Sequence, residues 1–224
     1  MNITKKLKSF FKENIGLFLF IVLMVFFRSA VADWYTVPTG SMQPTIEIGD
    51  RVLVDKMAYD LRIPLTDIKL KRTGEPSRGD IIVFESKAAK NRLIKRVIGL
   101  PGDQVSMSNE QLIINGKAVN YETSHSSIQA ANKVTIENLN GLKHNVKHDR
   151  TKSDRLGTFS TVTVPRDQYL VLGDNRRNSA DSRVYGFVPR KELKGKANHV
   201  VFSLNYDNYY LPKSERFFKD LYIL

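Results

Sequence analysis

The chain has 224 residues, 42% of them hydrophobic and 26% charged, with 13 Gly, 8 Pro and no Cys. That balance fits one or two compact domains and excludes a disordered chain, a fibrous repeat and a disulfide scaffold. It also removes a thiol nucleophile and thiolate metal sites, while the net charge of +12 calls for an acidic partner, nucleic acid or anionic lipid.

Lys5, Lys6, Lys8 and Lys12 precede an unbroken apolar run over 15–27. Arg28 and Ser29 interrupt it, and Ala30, Val31 and Ala32 carry it on to Asp33. Read as residues 15–32, the segment is roughly 27 Å long as a helix, enough to cross a hydrocarbon core. Arg28 would then snorkel to the headgroups, with Trp34 and Tyr35 at the interface. The basic start, the apolar run of 13 and the Ala30-Val31-Ala32 end fit a cleavable secretory signal equally well. On either reading the lysines keep the N-terminus in the cytoplasm and the rest is exported. From Asp33 onward the chain holds 30 basic and 22 acidic side chains, a net +8. That part lies where nucleic acid is scarce, so no nucleic-acid partner is expected.

The exported part reads as antiparallel β, with strand-like runs at 51–55, 80–85, 92–100, 111–114, 117–121, 161–164 and 168–172. Asn115-Gly116 and Asn140-Gly141 are hairpin signals. Residues 106–167 are more polar than their flanks and hold three of the four His, the composition of a peripheral insertion. The expected organisation is a cytoplasmic basic segment (1–14), an anchor (15–32), a β core in two parts (33–105 and 168–224, the second including the C-terminal tail) and an inserted smaller β domain (106–167). Phe202, Tyr206, Tyr209, Tyr210, Phe217, Phe218 and Tyr222 enrich the last 24 residues; core packing is the expectation, membrane docking the sharper alternative.

With no thiol, covalent catalysis rests on Ser, Thr, Lys or a carboxylate. His125, His144, His148 and His199 sit in no Gly-rich turn, no G-x-S-x-G elbow occurs, and they read as solvated surface histidines. No metal site or cofactor is expected. Ser9-Phe10-Phe11-Lys12 matches S-x-x-K by letter only, in the basic cytoplasmic stretch. Ser41 stands out in the turn Pro38-Thr39-Gly40-Ser41-Met42-Gln43-Pro44-Thr45, stiffened by prolines beside a glycine that permits close backbone approach.

Lys95 lies on a strand-like run and shares a face with Leu93 and Val97, so its amine is aimed into apolar surroundings. A base working near neutrality needs its pKa lowered from ~10.4 to about 7–8, roughly 4 kcal/mol of differential solvation, which burial can supply. The bland alternative is a solvated pair, Lys95 and Arg96. Residues 173–183 concentrate hydroxyls, carboxylates and guanidinium groups directly after an apolar strand, as a loop bracing a catalytic amine would.

Together the segments 38–45, 49–52, 78–84, 94–103 and 173–183, in this order after an apolar N-terminus, resemble the bacterial type I signal peptidases (leader peptidases). The resemblance implies a membrane-anchored Ser/Lys-dyad endopeptidase on the outer side of the bacterial inner membrane, with its N-terminus cytoplasmic. It would remove signal peptides from exported preproteins after Ala-x-Ala-like sites. Ser41 matches the nucleophile and Lys95 the general base, while the Ser41 N–H and the Thr39 hydroxyl match the oxyanion-hole donors. Ser179 matches the residue that hydrogen-bonds the lysine, and Asp181 and Arg183 the supporting ion pair. Tyr35, Val37, Met42, Ile46, Leu93 and Ile94 fall where relatives line small apolar pockets for the Ala side chains. The implied partners are preproteins and membrane lipid, and the implied state is monomeric. The N-terminal run then looks like a retained anchor. Thr39 stands where many Gram-negative relatives carry Ser, and Arg177 where some carry Asp. The competing readings are a self-cleaving repressor-type Ser/Lys protease, which needs a DNA-binding N-terminal domain, and a basic membrane module with no enzymatic activity.

Overall fold

The computed structural model describes residues 3–123 and 132–223; His125 lies outside them. Helix α1 (Ile3–Glu13) leads into α2 (Ile15–Ala30). Asn14 N–H donates to Phe10 O and Phe18 N–H to Asn14 O, both at 3.1 Å, so helical bonding carries across the junction. The expected span over 15–32 is corrected here. α2 has 16 residues and stops at Ala30, because Ala32 already opens strand β1 (Ala32–Thr36). The end of the helix is fastened to the β core: Lys56 Nζ donates to Arg28 O at 2.7 Å and stands 3.3 Å from Asp33. Arg28 does not extend towards a headgroup layer but turns back to Asp33 (2.7 Å) and covers the Trp34 ring. Among the described residues no helix is long and apolar enough to cross a membrane. Leu17, Phe20, Leu23 and Phe26 of α2 are all exposed.

The rest is mainly antiparallel β. After β2 (Asp50–Asp55) comes a detached hairpin, β3 (Asp60–Arg62) and β4 (Lys69–Arg72). β5 (Ile81–Ser86) and β6 (Asn91–Gly99) then form the centre of the main sheet. Between them and β14 lie β7 (Gln104–Ser108), β8 (Gln111–Ile114), β9 (Lys117–Ala118), β10 (Asn120–Thr123), β11 (Asn132–Leu139), β12 (Leu142–Asp149) and β13 (Phe159–Thr163). These seven make two small sheets, β13-β7-β8-β9 and β10-β11-β12. β14 (Gln168–Leu172), the one-turn helix α3 (Ser182–Tyr185), β15 (Val188–Pro189), β16 (Leu193–Asn205), β17 (Leu211–Pro212) and β18 (Lys219–Asp220) complete the chain. The main sheet runs β1-β2-β16-β5-β6-β14-β15, with β17 and β18 also on β16.

Both predicted two-residue turns form. Asn115 and Gly116 have φ of 51° and 76°, Asn140 and Gly141 of 54° and 99°, the left-handed pair that a tight hairpin between twisted strands requires. β16, the longest strand, escapes the sequence reading because two register shifts against β2 and one against β5 break its alternation. Covered on both faces, β5 begins as an uninterrupted buried run, Ile81-Ile82-Val83-Phe84. One core packs Met42 and Ile46 against Val52, Ile81 and Val83; a second joins Phe84, Val97, Val171 and Leu193. The third, with Ile98, Leu170, Val105, Leu112 and Leu139, seats the small sheets on β6 and β14.

Two further expectations are corrected. The C-terminal aromatics do not fill the core: Tyr206, Tyr209, Tyr210, Phe217 and Phe218 are exposed, Phe202 is partly exposed, and Tyr222 alone of the group packs against the first core. His144 and His148 are not solvated. They alternate with Val146 on the inner face of β12 and are buried, because that hairpin lies on the 173–183 loop.

Candidate active site

Ser41 sits in the irregular connection from β1 to β2. The loop is sewn at its base, where Val37 N–H donates to Asp50 O and Gly49 N–H to Val37 O, both at 3.0 Å. Its tip is held by Asn175, whose backbone N–H donates to Ser41 O (3.1 Å) and whose side-chain amide donates to Gly40 O (3.0 Å). Thr45 Oγ1 donates to Asp174 Oδ2 at 2.5 Å. Met42 and Ile46 plug the first core, so polar bonds hold one side of the loop and apolar packing the other.

Strand β6 delivers Lys95 to this loop. Its side chain is 2% exposed, and Nζ lies 2.8 Å from Ser41 Oγ and 3.0 Å from Ile94 O. Burial pulls its pKa down to about 8, against the partial opposition of Asp181 and Asp174. Arg96, next in sequence, is buried too, on the opposite face of the strand. It meets Asp174 with Nε at 2.9 Å and Nη2 at 2.7 Å, and gives its remaining edge to Gly79 O. The solvated Lys95–Arg96 pair is thereby excluded.

The 173–183 loop closes over both. Asp181 accepts from the Gly173 N–H (3.0 Å) and from Arg183 through Nε (2.8 Å) and Nη2 (2.7 Å). Burial alone would raise the Asp181 pKa; the bonds from Arg183 outweigh it and hold the carboxyl ionised. Arg183 also donates to Arg176 O and Leu156 O, so the ion pair braces the turn. Ser179 is buried, but its Oγ makes no full hydrogen bond; its nearness helps keep Asp181 ionised, and the bond to Lys95 implied by resemblance is not formed. Gly173 admits no side chain: a Cβ there would lie 2.4 Å from Ser41 O and 2.3 Å from Ser179 Oγ.

A cleft of about 430 Å³ opens beside Ser41 and Lys95. Tyr35, Val37, Met42, Ile46, Leu93 and Ile94 all line it, as does Thr39. Among the described residues no histidine bonds to Ser41, and no group of three or more His, Asp or Glu is placed to hold a metal.

The small sheets supply what sequence reasoning missed. His144 Nε2 stands 3.3 Å from Glu137 and 3.8 Å from Asp174, and Arg176 donates to Glu137 at 2.7 Å. Burial and Arg96 push the His144 pKa below its ordinary value. Glu110 accepts two bonds from Arg177 (2.8 and 3.1 Å) and faces His148 Nδ1 at 3.2 Å. The charge at position 177 thus has its own partner in the sheets packed below. Only the density of ionisable residues in 173–183 hinted at this network, because its partners come from distant strands.

The chain matches the family described as signal peptidase, peptidase S26, over residues 11–202. It is 37% identical over 210 residues to a signal peptidase I of Pseudomonas aeruginosa, covering 88% of this chain and 71% of that protein. A signal peptidase I P of Bacillus subtilis subsp. natto is 35% identical over 205 residues, covering 90% and 94%. A solved signal peptidase I structure from Enterococcus faecalis aligns at 30% identity with a TM-score of 0.36, covering 55% of this chain and 96% of that one. The sequence matches extend across the apolar N-terminus, the serine loop, the lysine strand and the acidic–basic loop, and the chain belongs to the signal peptidase family, peptidase S26.

Proposed function

We propose that the chain removes N-terminal signal peptides from exported preproteins as a Ser/Lys-dyad endopeptidase, with Ser41 as nucleophile and Lys95 as general base. The observation carrying this reading is the 2.8 Å contact between Lys95 Nζ and Ser41 Oγ in a buried setting that lowers the lysine pKa to about 8. A neutral amine accepts the Ser41 proton as Oγ adds to the scissile carbonyl. The oxyanion is received by the Ser41 N–H and the Thr39 hydroxyl. Lys95, now ammonium, returns the proton to the leaving amine of the mature protein, and the acyl-enzyme remains on Ser41. Water, deprotonated by the same amine, then releases the signal peptide.

The apolar cleft suits small side chains at the first and third positions before the bond, which is the Ala-x-Ala preference. Asp181 and Arg183 stabilise the loop that walls in the lysine. The exposed apolar face of α2 beside Lys5, Lys6, Lys8 and Lys12 supports insertion of the N-terminal helices in the bacterial inner membrane. The lysines would lie on the cytoplasmic side and the catalytic part outside, acting as a monomer.

The test is cleavage in detergent of a preprotein carrying Ala-x-Ala. Ser41→Ala and Lys95→Ala are each expected to abolish cleavage while keeping the native circular dichroism, and His199→Ala to retain it. A Lys95→Ala variant active at neutral pH overturns the dyad.

A further inference from the structure

The cleft carries a feature that its apolar pockets do not explain. Its charged lining residues are Arg92 and Lys95, and no carboxylate lines it. Lys95 must be neutral to act as base, which leaves Arg92 as the permanent charge facing a bound peptide. Arg92 is fixed in place on two sides. Its Nε and Nη2 contact Glu85 Oε1 at 2.7 and 2.5 Å, and its guanidinium lies over the Tyr35 ring, 4.2 Å from the centroid. Glu85 does not line the cleft, whereas Arg92 does. Arg92 remains 42% exposed and lines the cleft.

Strand geometry says which part of a peptide it meets. β14 pairs with β6 only at Arg96, Val97 and Gly99, so residues 91–94 lack a strand partner on that side among the described residues. That open edge can receive an extended peptide as an added strand. Arg92 precedes Lys95 by three residues, about 10 Å along a strand. A substrate running parallel to β6, with its scissile carbonyl at Ser41 and the residues before the bond in the cleft, brings its fourth residue before the bond to Arg92.

We infer that Arg92 is a specificity-determining residue that favours an acidic over a basic side chain at the fourth position before the scissile bond. This rests on the reading of the cleft as the site for the signal-peptide side of the substrate. Arg92 selects through a charge at a partly solvated rim, so it sorts substrates without being needed for the chemistry.

The experiment uses the full chain in detergent and peptides with an Ala-x-Ala site carrying Asp, Ala or Lys at the fourth position. A second set carries the same changes at the second position, which shares a face with the fourth in an extended peptide but lies about 7 Å farther from Arg92. For the native chain kcat/KM is expected to be about fivefold higher for Asp than for Lys at the fourth position, and near equal at the second. Arg92→Gln is expected to invert the ratio, because Glu85 is left unpaired at the rim; Arg92→Gln with Glu85→Gln is expected to bring it to one. A native ratio of one, or a ratio unchanged by Arg92→Gln, overturns this inference alone. Failure to cleave any Ala-x-Ala peptide, or cleavage surviving Ser41→Ala, overturns the reading of the cleft and this inference with it.

Discussion

Arg96 meets Asp174 edge to edge, two hydrogen bonds of 2.9 and 2.7 Å between side chains that solvent does not reach. The pair stands behind the proposed dyad: Arg96 follows Lys95 on β6, and Asp174 precedes the Asn175 that holds the Ser41 loop by two carbonyls. Removing one partner strands the other as an uncompensated buried charge. Asp174→Ala is expected to cost about 3–5 kcal/mol in urea denaturation at pH 7. Cleavage should fall with it, since the same change frees Thr45.

Lys95 sets opposite demands on stability and activity. Its charged form is disfavoured in the fold, so the penalty is full below pH 8, fades between 8 and 10.5, and is gone above. Lys95→Met is therefore expected to be inactive yet more stable than the native chain at pH 7, by up to about 3 kcal/mol. The gap should close as denaturation is repeated towards pH 10.5. In the native chain kcat/KM should rise with pH along a limb centred near 8; a limb near 10 would contradict a desolvated base.

Glu137 couples the small sheets to the 173–183 loop through Arg176 and His144. Burial works against its ionisation, but Arg176 and the bond to His144 prevail and hold its pKa far below the usual carboxylate range. Its contribution to stability is present above the ordinary glutamate pKa and is lost as pH falls through the depressed folded value. Glu137→Gln should destabilise by about 3 kcal/mol at pH 7, and the difference from the native chain should shrink below about pH 4.

Gly173 marks a close approach of the Ser41 loop and the 173–183 loop. Gly173→Ala must displace Ser41 O or Ser179, so kcat is expected to drop at least tenfold with a smaller change in KM, measured on an Ala-x-Ala peptide.

Leu19 and Leu23 face outward on α2 and cover nothing in the β core. Leu19→Asp with Leu23→Asp should leave the denaturation midpoint of the β core unchanged. The same pair should sharply lower partition into vesicles, since each loss of apolar burial in lipid removes about 1.5–3 kcal/mol. Unchanged partition would argue against insertion of α2.

The elements readable in the sequence were those whose signal is local. Residues 111–114 and 168–172 form strands over the predicted span, and both Asn-Gly turns form, because a left-handed pair of residues needs no distant partner. β16 went unread, because it is stabilised by neighbours far along the chain and its register shifts mask its alternation, and the pair β11–β12 was read only through its turn, because ionisable residues mask its alternation. The predicted anchor ran two residues too far because nothing in Val31 and Ala32 announces that the latter pairs with Asp55.

The sequence by itself excluded a thiol nucleophile and offered Ser41 in a stiffened turn and Lys95 among apolar strand neighbours; their roles as nucleophile and base were what the resemblance to type I signal peptidases implied. It showed too that four of the +12 charges lie before Asp33 and that the remainder of the chain carries +8. Only the tertiary structure decided how many cations are withdrawn from solvent into buried pairs, as Arg96, Arg176 and Arg183 are, and that the small sheets pack on the 173–183 loop with His144 and Glu137. Among the described residues, ion pairs of that kind join residues as far apart as Asp50 and Arg216, 166 positions, and burial decides their partners. No local pattern encodes burial; it exists once the sheets have met.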